Sequence, residues 1–268
     1  MERRTLVFFH AHPDDEAIAT GGTMIRAADA GHRVVLVVAT RGEHGEVEDG
    51  YLDPGEKLWE RRVRETHAAA RLLGVERVEF LGYVDSGMMG TPENDQPGSF
   101  WTADVEEAAS RLAAVLTEEA ADVLTIYDEN GVYGHPDHIQ IHRVGVRAAE
   151  LAGTPRVFMS TIDQDRILRL MKEAHESGDM VLPGDLDPDD FQLGVPAHRV
   201  TTTVDVGDVA DRKRAAMAAH ASQISETSFF LAMKPEQFRV AFGHEDYIQC
   251  VPDPGAVPPP TDDLLGGL

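Results

Sequence analysis

Cysteine, basic residues and long apolar runs are all scarce in this 268-residue chain. Cys250 is the single cysteine, so no intrachain disulfide can form, which is typical of a reducing cytoplasm. Only 24 Lys and Arg stand against 47 Asp and Glu, whereas a nucleic-acid groove needs clustered positive charge. The net charge of −23 disfavours binding to an anionic membrane surface. The sequence contains no apolar span of 18 residues, so we predict no transmembrane helix. We therefore expect a cytoplasmic protein with no nucleic-acid or membrane partner.

Residues 5–161 contain a regular alternation of apolar strands and amphipathic helices. The predicted strands cover residues 6–9, 33–40, 78–81, 123–127 and 157–161. Repeated βαβ units predict an α/β fold with a doubly wound, mostly parallel sheet, in the strand order 3-2-1-4-5. We assign residues 1–161 to a catalytic core and residues 162–251 to a smaller C-terminal cap that completes the same domain. Residues 252–268 are rich in Pro and Gly and are predicted to be a disordered tail.

Two polar segments each follow the end of a predicted strand. Residues 12–16 (HPDDE) follow the first strand, and residues 133–138 (YGHPDH) follow the fourth. These two strands are neighbours at the switch point of the predicted sheet, where ligands bind. His12, Asp15 and His138 give two imidazoles and one carboxylate, which is the pattern of a catalytic zinc site with an open position for water. The same ligands also suit Fe²⁺.

The remaining polar residues of the two segments suggest catalytic roles. Asp14 is a carboxylate left over to take a proton from water, and Asp137 is placed to fix the tautomer of a nearby imidazole. His135 is a candidate either to protonate the leaving group or to steady the oxyanion, and Tyr133 is a second oxyanion donor. His142 lies one turn after His138 and stays a weaker candidate. Ordinary helix capping would explain either segment alone, but explains both together less well.

Residues 11–16 and 134–138 resemble the two signatures of the PIG-L/LmbE-like metal-dependent N-deacetylases, a family with a Rossmann-like fold. The resemblance implies a zinc-dependent hydrolase that removes the N-acetyl, or another small acyl, group from an N-acetylglucosamine conjugate through attack by metal-bound hydroxide. It implies His12, Asp15 and His138 as the zinc ligands and Asp14 as the general base, in agreement with the residue types. It further implies substrate binding by Arg62, Glu65 and Asp85. We expect Arg62 to lie away from the metal motifs and to affect KM more than kcat.

Residues 127–131 resemble the actinobacterial mycothiol-pathway branch of this family. That branch contains a deacetylase of a glucosaminyl-inositol precursor and an amidase of mycothiol S-conjugates, so the amidase is an alternative on the same site. In both cases the partner is a small-molecule amino-sugar conjugate, and a homo-oligomer is left open.

Three other classes of protein remain as alternatives. A receiver-type magnesium protein fits poorly, because two of the three predicted ligands are imidazoles. A dinucleotide-binding domain fits poorly, because Gly21 and Gly22 come too late for the phosphate-binding turn. A metal-dependent esterase or phosphohydrolase shares the predicted chemistry, and only substrates distinguish it.

Overall fold

The computed structural model describes residues 2–176, 193–250 and 261–266, and seven strands within these residues form one sheet. The strands are β1 (Thr5–His10), β2 (Arg33–Val38), β3 (Arg77–Phe80), β4 (Val123–Tyr127), β5 (Arg156–Thr161), β6 (Thr202–Asp205) and β7 (His244–Cys250). Their order across the sheet is β3-β2-β1-β4-β5-β7-β6. The strands from β3 to β5 are parallel, and β7 is antiparallel to both of its neighbours. The predicted order of the first five strands is confirmed, so the ends of β1 and β4 are adjacent.

Helices cover both faces of this sheet. They are α1 (Asp15–Ala19), α2 (Gly21–Asp29), α3 (Leu58–Leu73), α4 (Val105–Glu118), α5 (Gly131–Gly134), α6 (Pro136–Ala152), α7 (Gln164–Glu176), α8 (Ala210–Ala218), α9 (Phe229–Ala232) and α10 (Pro235–Phe242). Among the described residues, none of the helices is both long and apolar enough to cross a membrane.

Alternate residues of the central strands build two separate cores. Val7 and Phe9 of β1 pack in one apolar cluster with residues of α4 and α6. Leu6 and Phe8 pack in the other cluster with residues of α2, α3 and α8. Because successive side chains of a strand point to opposite faces, a continuous apolar run produces this three-layer arrangement. The two cores hold β1 and β4 rigidly, and their carboxyl ends carry the polar segments.

Strand β7 was not predicted, because two of its four buried positions are occupied by charges. Glu245 and Asp246 are both 3% exposed. The Nζ of Lys213 on α8 lies 2.6 Å from Oε1 of Glu245, and Arg166 on α7 pairs with Asp246. A strand whose inward carboxylates are neutralised by distant cations lacks the apolar pattern from which strands are recognised.

Residues 261–266 depart from the predicted disordered tail. The N–H of Thr261 donates to the carbonyl of Thr201 at 3.0 Å, and Leu264 is 1% exposed within an apolar cluster. The prediction is therefore wrong for this stretch, because Leu264 supplies apolar area that the composition of the whole segment conceals. Residues 252–260, 267 and 268 of the predicted tail lie outside the described residues.

An ion-pair network at the amino end of the sheet predicts acid-dependent stability. Arg33 on β2 contacts both carboxylate oxygens of Glu119, and Arg77 on β3 donates to Oε1 of Glu119 at 2.9 Å. Hydrogen bonds from these guanidinium groups outweigh burial and lower the pKa of Glu119 to about 2. A carboxyl whose pKa is depressed by folding stabilises the protein above its ordinary pKa, and this contribution is lost as the pH falls toward the folded value.

Glu119→Gln should therefore lower the free energy of unfolding near neutral pH by about 1–3 kcal/mol. The difference from the wild type should shrink as the pH falls below about 4.5, where the wild-type carboxyl of the unfolded chain becomes protonated. Urea unfolding at several pH values measures both effects. Glu118→Gln is the matched control, because Glu118 also pairs with Arg77 but its side chain is 67% exposed. An equal loss in both variants would contradict a special role for Glu119.

Candidate active site

The first polar segment forms a tight turn between β1 and α1. Asp14 adopts φ 99° and ψ −34°, a conformation that residues other than glycine rarely adopt. Its carbonyl accepts the N–H of Ala17, so α1 starts immediately afterwards. Oδ2 of Asp15 accepts the backbone N–H of His12 at 2.9 Å. The turn therefore folds the Asp15 carboxylate back toward the imidazole of His12.

The second polar segment is a loop organised by a buried carboxylate. Asp128, which is fully buried after β4, accepts the N–H of Val132 at 3.0 Å and the hydroxyl of Thr161 at 2.6 Å. Gly131 has φ 63°, and a Cβ atom there would lie 2.6 Å from the Cβ of His138. Only glycine permits this close approach, so the loop packs against the first turn of α6, which carries His138.

The carboxylate of Asp15 lies between the two imidazoles that were predicted to share a metal ion. Oδ2 of Asp15 is 3.4 Å from Nδ1 of His12 and 3.3 Å from Nε2 of His138. Tetrahedral ligands at about 2.0–2.2 Å from a zinc ion are separated by roughly 3.3–3.6 Å. Although burial opposes it, the imidazoles of His138 and His12 hold the pKa of Asp15 well below its ordinary value. These two separations and the donor types are therefore those expected of ligands to one divalent cation.

The other nitrogen of His12 faces two further carboxylates. Nε2 of His12 lies 3.1 Å from Oδ2 of Asp137 and 3.5 Å from Oδ1 of Asp85. Asp137 is fully buried and also accepts both the N–H and the hydroxyl of Ser86, while Asp85 accepts the N–H of Gly87 at 2.9 Å. The Nε2 of His12 thus faces Asp137 and Asp85, and its Nδ1 faces Asp15, an orientation that suits an imidazole whose Nδ1 binds an ion.

Two other triads of possible ligand atoms exist within the described residues. Ligand atoms within 4.8 Å of one another are offered by His12, Asp85 and Asp137 and by His12, His135 and His138. In the first triad Asp85 accepts the N–H of Gly87 and Asp137 accepts that of Ser86. Asp15 likewise accepts the N–H of His12, so these contacts do not distinguish the sets, and zinc binding by ligand variants does.

A buried chain of side chains lies beneath Asp15 and His138. The ring of Tyr127 stacks on His138 with centroids 4.4 Å apart. Its hydroxyl lies 2.6 Å from Nδ1 of His10, and Nε2 of His10 lies 2.8 Å from the Thr20 hydroxyl. Burial and the nearby Asp15 carboxylate raise the pKa of Tyr127 well above its ordinary value, so the phenol remains a donor to Asp15. These buried contacts orient Asp15 and His138.

Asp14 stands beside the predicted ligands and contacts Arg62. Burial raises the pKa of the Asp14 carboxyl to about 6, and the Arg62 guanidinium opposes part of that rise. Nη2 of Arg62 lies 3.4 Å from Oδ2 of Asp14 and donates to the carbonyl of Pro13 at 2.6 Å. The expectation that Arg62 lies away from the metal motifs is therefore wrong. Gly42 makes this contact possible. A Cβ atom at position 42 would lie 2.1 Å from Nη1 of Arg62, so the lack of a side chain leaves room for the guanidinium to extend from α3 to the turn.

Tyr133 and His135 flank the open side of this cluster. The hydroxyl of Tyr133 is 3.5 Å from Nε2 of His138, and Tyr133 is 48% exposed, so it borders solvent. His135 caps α6 by accepting the N–H of Asp137 on Nδ1 at 3.1 Å. Burial and the neighbouring imidazoles of His12 and His138 lower the pKa of His135 to about 4. His135 is therefore a neutral imidazole whose Nε2–H is free to donate.

The sequence profile described as "PIG-L: GlcNAc-PI de-N-acetylase" matches residues 7–149, which include both polar segments. The chain belongs to the PIG-L family. A 1D-myo-inositol 2-acetamido-2-deoxy-alpha-D-glucopyranoside deacetylase of Acidothermus cellulolyticus is 41% identical to it over 91% of this chain and 88% of the relative. A protein of the same name from Catenulispora acidiphila is 40% identical over 91% of this chain and 83% of the relative.

A solved structure shares the architecture of this chain. The N,N'-diacetylchitobiose deacetylase from Pyrococcus horikoshii superposes with a TM-score of 0.59. It is 24% identical to this chain, and the match covers 93% of this chain and 84% of that one. At this level of identity the likeness establishes the fold, which agrees with the Rossmann-like sheet observed here.

Two predicted residues of this PIG-L chain lie outside the cluster around His12. Glu65 is buried, and its two carboxylate oxygens accept the N–H and the hydroxyl of Ser222 at 2.9 and 2.6 Å. His142 lies 3.1 Å from the carbonyl of Tyr127 through Nδ1. Both side chains are thus engaged with the protein itself. By contrast, Asp85 lies beside His12 in the cluster, where its contact is with an imidazole and backbone N–H groups.

Several residues at the site of this PIG-L chain were not predicted. The missed side chains are His10, Glu16, Ser86, Tyr127 and His220. Glu16, Ser86 and Tyr127 lie within or beside segments that had already been singled out, so their neighbourhood was the available signal. His10 and His220 carried no signal, because an isolated histidine in a sequence is usually a packing or surface residue.

The contact between Arg62 and Asp14 changes the expected behaviour of an Arg62 variant. Arg62→Ala should lower kcat by about 10- to 100-fold, because one charge-assisted contact to the base is lost. KM should change less, which steady-state kinetics on an N-acetylglucosaminyl substrate would measure. Arg61→Ala is the control, since Arg61 on the same helix pairs with Glu56 and Asp53 instead. A raised KM with unchanged kcat would restore the original assignment of Arg62 to substrate binding.

Proposed function

We propose that this PIG-L protein is a zinc-dependent deacetylase that releases acetate from an N-acetylglucosaminyl-inositol conjugate. The observation that carries the proposal is the position of Asp15 Oδ2, 3.4 Å from Nδ1 of His12 and 3.3 Å from Nε2 of His138. Asp14 is adjacent to this group, and Tyr133 and His135 border it. A ligand set, a base and oxyanion donors are the parts that amide hydrolysis needs.

His12, Asp15 and His138 would hold the ion. When bound there, a zinc ion acidifies water and polarises the acetyl carbonyl. Fe²⁺ suits the same donors, so the choice of metal rests on measurement. Asp137 supports this assignment, because it accepts a hydrogen bond from the far side of the His12 ring, and such partners orient ligating imidazoles.

Asp14 would take the proton of the attacking water. A base is most effective when its pKa lies near the working pH, and burial brings the pKa of Asp14 to about 6. The protonated carboxyl would then pass that proton to the departing nitrogen, which leaves as a neutral amine. This assignment frees His135 from proton donation, since its Nδ1 already accepts the N–H of Asp137 and only a neutral N–H remains.

Tyr133 and His135 would donate hydrogen bonds to the oxygen of the tetrahedral intermediate. Burial raises the pKa of Tyr133 above its ordinary value, so its phenol stays protonated. The two rings lie with centroids 6.2 Å apart, which supports a shared role for their two donors. Donors held in place before the reaction stabilise charge that develops in the transition state.

The conjugate is proposed from the relatives. Relatives about 40% identical over most of the chain are named as deacetylases of 1D-myo-inositol 2-acetamido-2-deoxy-alpha-D-glucopyranoside. Those names favour an N-acetyl group on a glucosaminyl-inositol over the S-conjugate amide of the alternative amidase.

Purified protein loaded with Zn²⁺ should release acetate and a free amine from this acetamido sugar. Matched substrates in the same assay would be N-acetylglucosamine, a mycothiol S-conjugate and p-nitrophenyl acetate. Acetate release that stops on chelation and returns with Zn²⁺ supports the proposal. Faster cleavage of the S-conjugate would assign the amidase activity instead, and ester cleavage alone would assign an esterase.

A further inference from the structure

Asp14 adopts a backbone conformation that must be held in place. Its φ of 99° lies outside the regions that L-amino acids prefer, and such a conformation is energetically unfavourable. Strain of this kind persists only where neighbouring groups determine the conformation. In the proposed function this same residue is the base, so whatever fixes its backbone also fixes the carboxylate.

A buried carboxylate holds the N–H group of Asp14. Oε2 of Glu16 accepts that N–H at 3.0 Å, and Glu16 is fully buried. Because a carboxylate buried with too few partners is strongly destabilising, its second oxygen also needs a donor. Oε1 of Glu16 lies 2.5 Å from Nε2 of His220, which is itself fully buried.

His220 comes from a turn that is anchored independently. Its carbonyl accepts the N–H of Gln223 at 2.9 Å and that of Ile224 at 2.8 Å. Glu65 of α3 accepts the N–H and the hydroxyl of Ser222 in the same turn. Nδ1 of His220 is buried without a hydrogen-bond partner in the described part of the chain, so the ring makes its one hydrogen bond to Glu16.

Asp14 is thus held at both its backbone and its carboxylate. Glu16 and His220 hold the backbone of Asp14, and Arg62 contacts its carboxylate at 3.4 Å. Arg62 and Glu65 lie one turn apart on α3, so one helix fixes both the guanidinium and the turn that carries His220. The arrangement also explains why Glu65 is buried next to the site without facing it.

We propose that Glu16 and His220 are positioning residues that hold Asp14 in its strained conformation and aim its carboxylate at the reacting water. The proposal rests on the proposed function for its kinetic consequences only. Glu16→Ala and His220→Ala should each lower kcat by about 10²-fold, the cost of misplacing a catalytic group by about 1 Å. KM and the bound zinc should stay near the wild-type values, because neither residue contacts the predicted ligand atoms.

Conservative variants separate positioning from folding. His220→Gln should recover much of the lost kcat, because its amide N–H can donate to Glu16, whereas His220→Ala should not. His32→Ala is the matched control, since His32 is a buried histidine at the opposite end of the sheet, where Nδ1 accepts the N–H of Arg4 at 3.2 Å. It should lower the melting temperature and leave kcat unchanged.

A double-mutant cycle with Asp14→Asn provides the decisive kinetic test. If Glu16 and His220 act through Asp14, their replacement should cause little further loss once the base is gone. Equal fold losses in the wild-type and Asp14→Asn backgrounds would overturn the proposal, as would unchanged kcat in Glu16→Ala and His220→Ala.

Crystal structures of His220→Gln and Glu16→Ala test the same idea without activity. Relaxation of Asp14 to negative φ in Glu16→Ala, with the wild-type conformation kept in His220→Gln, supports positioning. An unchanged Asp14 in Glu16→Ala overturns it. If the wild type releases no acetate from any substrate, the deacetylase proposal fails, and these structures still decide whether Glu16 and His220 hold Asp14.

Discussion

Asp14→Asn should lower kcat by about 10²- to 10⁴-fold, because an amide cannot take the proton of the attacking water. The fold should survive, since Asn tolerates positive φ better than most residues and Asp14 has a φ of 99°. The amide oxygen of Asn can still accept from Arg62. The measurements are acetate release in the steady state and zinc content by mass spectrometry, and the zinc content should match that of the wild type.

Asp122→Asn is a suitable control for that experiment. Asp122 is a partly buried acid at the amino end of the sheet, where its carboxylate accepts the N–H of Thr5 at 2.8 Å and contacts Arg4 at 2.9 Å. Its replacement should reduce stability without changing kcat. Near-normal turnover by Asp14→Asn, with zinc in place, would show that another group carries the proton.

Removal of a predicted metal ligand should produce the second large effect. Asp15→Ala and His138→Ala should lose zinc at concentrations that saturate the wild type, because each removes one of three protein ligands. Activity should fall with occupancy. Equilibrium dialysis against zinc of defined concentration measures the loss, and circular dichroism confirms that the variants are folded.

Asp85→Asn is the comparison variant for the zinc-binding experiment. Asp85→Asn should weaken zinc binding by no more than about 10- to 100-fold, because Asp85 faces the nitrogen of His12 that points away from Asp15. The reverse ranking, with zinc lost in Asp85→Asn and kept in Asp15→Ala, would assign the ion to the triad of His12, Asp85 and Asp137.

The central sheet could be predicted because its signals are local. The apolar runs of β1 and β4 are continuous, and the rule that ligands bind at the switch point then placed His12 and His138 near each other. The same reasoning could not predict β7, whose buried residues include the charged Glu245 and Asp246. Their partners on α7 and α8 are known only once the fold brings them together.

The surroundings of Asp14 were the hardest part to predict. His220 is 204 positions from Glu16, and no spacing rule connects them. Arg62 was assigned to substrate binding from the family resemblance and was expected to lie away from residues 12–16. The lack of a side chain at Gly42 leaves room for the guanidinium of Arg62 to reach the turn at Asp14. Such room depends on how distant parts of the chain pack, so it cannot be recognised from one sequence segment.

The late position of α8 and β7 in the chain has a consequence for biosynthesis. Glu245 accepts the N–H groups of Gly22 and Thr23 at 2.7 and 2.8 Å, and His220 contacts Glu16. A nascent chain emerges from its amino end, so the first strands leave the ribosome long before these partners exist. Until then the turn at Asp14 lacks its buried support. Hydrolytic competence should therefore appear only near the end of translation, and prematurely terminated chains should be inert even when both polar segments are present.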